Sequence, residues 1–164
     1  MDKAALLVID LQIGVQSETA PLYQLAHVIE GVNQRIQLFR ENNNPVIFIQ
    51  HNDRELVLNS PQWEIFPEVD CRDTDIYVNK THANSFYKTN LKDQLLKLNV
   101  NQLEICGAQT EYCVDTTIRM AHGLGYTLFM KKGLTTTVNN DLLGAKTIIE
   151  HHENIWDHRF LTFL

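Results

Sequence analysis

The chain has 164 residues, three cysteines and a formal net charge of -6, long enough for a single domain spanning 1–164 whose core needs neither disulfides nor metal. A 44% hydrophobic and 21% charged composition is that of an ordinary globular protein, and the acidic balance without a Lys/Arg cluster argues against nucleic acid or an anionic membrane surface as partner. An odd, small number of cysteines makes no disulfide framework and fits a reducing, cytoplasmic location; the first residues read as the entry into a strand rather than a signal peptide, and no apolar run could span a bilayer.

Ala4 to Ile9 is a continuous apolar run ending at Asp10, the pattern of a central parallel strand. Between Tyr23 and Glu41, apolar residues at Leu25, Val28, Ile29, Val32, Ile36 and Phe39 have amphipathic-helix spacing. Asn42-Asn43-Asn44-Pro45 stops that helix, and Val46 to Ile49 reads as a second strand. His51 to Thr74 is irregular, and a loop of that length in a compact domain usually serves function or assembly.

Ile76 to Val78 is a third strand running into Asn79-Lys80, Asn90 to Leu98 a helix, and Leu103 to Cys106 a fourth strand. After Gly107, Thr110 is placed to cap a helix running from Glu111 to about Gly123. A strand over Tyr126 to Met130, a helix over roughly Asn140 to His152 and a strand over Arg159 to Phe163 complete the chain. Alternation of strands and helices predicts an α/β fold with a mainly parallel sheet of about six strands, covered by helices on both faces.

In open parallel sheets, ligands bind beyond the carboxyl ends of the strands. Asp10 ends the first strand, Lys80 the third, and Cys113 follows the fourth, which predicts that all three share one edge. Each has a plainer reading: Asp10 as a turn cap, Lys80 as a solvated lysine, Cys113 as a small buried side chain. Together they suit acyl transfer without a metal or cofactor. The cysteine, in the first turn of a helix that favours thiolate, is the nucleophile, the carboxylate the base, and the ammonium the stabiliser of both anions.

The segments Ala5-Leu6-Leu7-Val8-Ile9-Asp10-Leu11-Gln12, Gln62-Trp63-Glu64-Ile65-Phe66-Pro67-Glu68, Val78-Asn79-Lys80 and Gly107-Ala108-Gln109-Thr110-Glu111-Tyr112-Cys113-Val114-Asp115 resemble the isochorismatase-like cysteine hydrolase superfamily along essentially the whole chain. The resemblance implies a Rossmann-like, doubly wound sheet of order 3-2-1-4-5-6 and a catalytic triad of Asp10, Lys80 and Cys113. It also implies a cis peptide between Ala108 and Gln109, with the Gln109 and Cys113 amides forming an oxyanion hole. Relatives commonly assemble, so a homo-oligomer, dimer or tetramer, is expected.

Where nicotinamidases of that superfamily carry a metal-binding Asp-x-His, this chain has Gln50-His51-Asn52-Asp53, so no metal is expected. Phe66 and Lys132-Gly133 also depart from frequent family residues. Gln12, His51, Trp63, Phe86 and Tyr112 are expected to contact substrate. Retention of Cys113 favours hydrolysis of an amide or carbamoyl C–N bond in a small molecule, through a thioester. The alternatives are an isochorismatase-type ether hydrolase and a non-catalytic or thiol-sensing module on the same fold.

Overall fold

In the computed structural model, which describes residues 3–164, the strands and helices alternate as their sequence patterns require. The order is β1 (Ala4–Ile9), α1 (Leu25–Glu41), β2 (Val46–His51), β3 (Ile76–Lys80), α2 (Leu91–Lys97), β4 (Gln102–Ala108), α3 (Asp115–Gly123), β5 (Thr127–Met130), β6 (Thr135–Thr136), α4 (Ala145–Trp156) and β7 (Thr162–Phe163). A π-helical turn, Thr110–Val114, joins β4 to α3. All named strands pair in parallel, in the order β3-β2-β1-β4-β5-β7, with β6 beside the far end of β4.

Side-chain alternation divides the core in two. Ala5, Leu7 and Ile9 of β1 join Ile105, Leu91, Leu95, Ile118 and Trp156 on the face covered by α2 and α3. Leu6 and Val8 point the other way, against Phe48, Cys106 and the buried stripe Val28, Ile29, Val32, Ile36 and Phe39 of α1. A charge interrupts this second face. Glu104 of β4, 4% exposed, receives two 2.6 Å hydrogen bonds from the Arg35 guanidinium of α1. Such a bidentate pair offsets the cost of removing the carboxylate from water.

The expected sheet order is observed, with a difference at its C-terminal side. The seventh strand is β6, two buried threonines that pair with Gly107 and Ala108. α4 begins at Ala145 rather than near Asn140. The Asn140 carboxamide oxygen accepts from the amides of Leu142 and Leu143, and that of Asn139 accepts from the Ala145 amide, so both asparagines build a turn and a cap instead of helix. The last strand is shorter than expected, because residues 157–161 turn before pairing with β5.

Candidate active site

Four neighbouring strands set the site by register. Ile9 lies opposite Ile49 of β2 and Gly107 of β4, while His51 lies opposite Lys80 of β3. At Asp10 the chain turns out of β1 with φ of 47°, a left-handed conformation that aspartate tolerates better than most residues. Gly107 has φ of 118°, and a Cβ there would sit 2.1 Å from the Ile9 carbonyl oxygen. Only glycine lets β1 and β4 approach this closely where both leave the sheet. The Ala108–Gln109 peptide that follows is cis.

Asp10, Lys80 and Cys113, distant in sequence, meet at this edge. The Lys80 ammonium is 1% exposed and donates to Asp10 Oδ2 at 2.7 Å, to Cys113 Sγ at 3.2 Å and to His51 Nδ1 at 3.2 Å. Its three N–H groups thus have three acceptors. Asp10 is 3% exposed, and among the described residues its Oδ1 atom receives no hydrogen bond, which leaves a carboxylate oxygen beside Cys113 open to accept a proton.

That arrangement corrects the expectation of a thiolate. The Cys113 thiol is pushed up to about 12, first by burial and then by the Asp10 charge, against the lowering effect of Lys80. The helix-start argument also fails locally, since the turn is π-helical and Thr110 gives no cap. Its hydroxyl donates to Thr135 Oγ1 instead. The resting cysteine is therefore a thiol with a carboxylate near it. Cys71 is likewise pushed up, to about 11, and Cys106 still higher, both chiefly by burial. Cys113 differs from them in accepting a hydrogen bond from a lysine ammonium, at 3.2 Å.

The remaining candidates divide. Gln12 does not line a pocket: it is fully buried, accepting from the His51 amide at 2.8 Å and donating to the carbonyls of His51 and Trp63 at 3.0 and 2.8 Å. Its carboxamide bonds to backbone because the chain leaves β1 there and needs a brace to β2. Trp63 lines a groove of about 490 Å³ with Gln50, Tyr77 and Asn79. Gln50 and Asn79 alternate with His51 and Lys80, so this groove belongs to the opposite face of the sheet. Phe86 is core, tilted against Tyr126 with ring centroids 5.9 Å apart, in the cluster against which Cys113 packs. Tyr112 is 55% exposed beside Cys113.

Two polar features escaped the sequence reading. Asp53 Oδ2 lies 3.2 Å from His51 Nε2, and the alternation His51-Asn52-Asp53 was its one signal. Gln109 Nε2 donates to Thr137 Oγ1 at 3.3 Å, and that hydroxyl donates to Glu111 Oε1 at 2.8 Å, tying the start of the turn to the chain after β6. Among the described residues, no group of three or more His, Cys, Asp or Glu side chains could hold a metal ion, and no helix is long and apolar enough to cross a membrane.

A parallel α/β sheet with cysteine, lysine and aspartate gathered at its carboxyl edge defines the class, a Rossmann-like hydrolase fold. The chain belongs to the isochorismatase family: the Isochorismatase domain model matches residues 4–153. It is 32% identical over 134 residues to the isochorismatase family protein YrdC of Bacillus subtilis, covering 79% of this chain and 71% of that one. It is 30% identical over 156 residues to Nicotinamidase 3 of Arabidopsis thaliana, covering 85% and 76%. A crystal structure of an isochorismatase family protein superimposes with a TM-score of 0.97 at 53% identity, covering 98% of this chain and 97% of that one. The protein is an isochorismatase-family hydrolase.

Proposed function

We propose that this protein hydrolyses a C–N bond of a small-molecule amide or carbamoyl compound through a thioester on Cys113, without a cofactor. The observation that carries the reading is the Lys80 ammonium, in contact with both the Asp10 carboxylate and the Cys113 sulfur. As Sγ attacks the carbonyl carbon, its proton passes to Asp10, so the thiolate is made only as it is consumed. The amides of Gln109 and Cys113 hold the oxyanion of the tetrahedral adduct. When the C–N bond breaks, Asp10 returns the proton to the departing nitrogen. Asp10 then takes a proton from water as it attacks the thioester, and the sulfur recovers that proton when the acid leaves.

A thiol of raised pKa suits this order of events. It keeps the sulfur protonated until substrate arrives, and it weighs against a thiol sensor, which needs a standing thiolate. We place the enzyme in a reducing cytoplasm, with its three cysteines free, acting as a homo-oligomer; a sedimentation profile showing only monomer at micromolar concentration would remove the assembly.

The test is incubation of wild type and Cys113→Ala with a panel of small amides, beginning with primary carboxamides because a relative is named a nicotinamidase. Intact mass and released ammonia are read together. An acyl adduct with ammonia release in the wild type alone supports the reading. Undiminished turnover by Cys113→Ala overturns covalent catalysis.

A further inference from the structure

His51 ends β2 directly opposite Lys80 in the sheet register, and both of its ring nitrogens have partners in the chain, Lys80 on the buried side and the more exposed Asp53 on the other. An ammonium can only donate, so Nδ1 is the acceptor in the 3.2 Å contact with Lys80 Nζ. The ring proton then sits on Nε2, facing Asp53 Oδ2 at 3.2 Å. Asp53 is itself fixed, because its other carboxylate oxygen accepts from the amides of Glu55 and Leu56, each at 2.8 Å. The His51 backbone is clamped on the other side by the fully buried Gln12 carboxamide.

We infer that His51 and Asp53 form a positioning pair: Asp53 holds the His51 tautomer that presents a lone pair to Lys80, and this third acceptor aims the other two ammonium protons at Asp10 and Cys113. The same geometry leaves His51 no ring nitrogen for substrate. A buried lysine with only two acceptors would keep one N–H unsatisfied or rotate to satisfy it. Either change moves its charge relative to the sulfur. His51 thus acts through Lys80 on the thiol, as orienting partners do for catalytic groups elsewhere.

The inference rests on the proposed role of Cys113 only for its kinetic arm, so its test includes one measurement needing no substrate. The rate of Cys113 alkylation by iodoacetamide at pH 9 is followed by mass spectrometry in wild type, His51→Leu, His51→Asn and Asp53→Asn, each first shown by thermal melting to be folded. His51→Leu removes the acceptor, and alkylation is expected to slow about tenfold, the response to a thiol one pH unit less acidic. His51→Asn keeps an acceptor oxygen near the Nδ1 position and restores most of the rate.

Asp53→Asn is the discriminating variant. Its oxygen can still close the turn at Glu55 and Leu56, while its NH2 group faces Nε2. The ring proton is driven to Nδ1, against the ammonium, and the variant should match His51→Leu. On whichever amide the wild type hydrolyses, kcat should fall while KM holds. Unchanged alkylation in both His51→Leu and Asp53→Asn overturns the inference, and so does a rise in KM alone, which would make His51 a substrate contact. If no amide is hydrolysed by the wild type, the proposed function fails and alkylation still decides the pair.

Discussion

Gly107 and Ile9 face each other where β4 and β1 leave the sheet, with room for a hydrogen but not a methyl group between them. Gly107→Ala must both adopt a positive φ and push back the β1 backbone, one residue from Asp10. The expected cost is about 3 kcal/mol or more, at the upper end for overpacking. Gly125→Ala is the control: φ there is 90°, but apart from its chain neighbours no described residue comes within 4 Å of its Cβ position, so only the backbone strain of roughly 1–2 kcal/mol applies. Equal denaturant midpoints for the two variants would show that the close approach contributes nothing.

Asp10→Asn should separate acidity from catalysis. The substitution removes the charge that holds the Cys113 thiol up, and leaves Lys80 to pull it down. Alkylation of Cys113 at pH 8 is expected to accelerate, while turnover drops about 10²–10⁴-fold for want of a base. Slower alkylation in a folded Asp10→Asn protein would mean that Asp10 does not govern the thiol.

Stability should fall on the alkaline side. A thiol held at about 12 in the native protein against an ordinary value of 9 keeps its proton when folded and loses it when unfolded. Its contribution is complete below pH 9 and is lost as pH rises towards 12, at about 1.4 kcal/mol per pH unit inside that window. Cys71 and Cys106 act in the same direction. Urea titrations at pH 8 to 11 should give a shallower decline for Cys113→Ser than for wild type; parallel declines would exclude the contribution.

The Arg35–Glu104 pair predicts a non-additive double variant. Glu104→Ala strands a guanidinium against the α1 face and should cost about 3 kcal/mol. Arg35→Met combined with Glu104→Met removes both charges and should cost less than the single change. A double variant as unstable as the sum of its parts would show that the two side chains do not act as a pair.

The strands that carry the site were readable because β1, β2 and β4 are buried on both faces and so contain unbroken apolar runs. The placement of Asp10, Lys80 and Cys113 on one edge follows from reading parallel strands that end at or just before them, whereas the strand order is implied by the family resemblance and not by the apolar runs. β6 was not readable: two threonines carry no apolar signal, and pairing with Gly107 and Ala108 makes them a strand. The start of α4 was misplaced because Asn139 and Asn140 bond to backbone amides, a local choice that periodicity does not register. The acidity of Cys113 was misjudged because helix position is visible in sequence, whereas burial and the nearness of Asp10 are tertiary facts. Gln12 reads as a substrate contact for the same reason, since a strand-end carboxamide looks alike whether it faces solvent or the next strand's backbone.

Lys80 reaches the site from β3, which ends the strand order and, among the described residues, pairs with β2 alone. Strand pairing has a period of two, so a one-residue slip of β3 along β2 would turn Lys80 to the α1 face and bring Asn79 to the sulfur. The slipped sheet would keep most of its core yet offer Cys113 an amide in place of a cation. Chemical competence therefore serves as a proofreading mark for this strand: a preparation can be fully folded by bulk measures and still be counted, molecule by molecule, through the reactivity of one thiol.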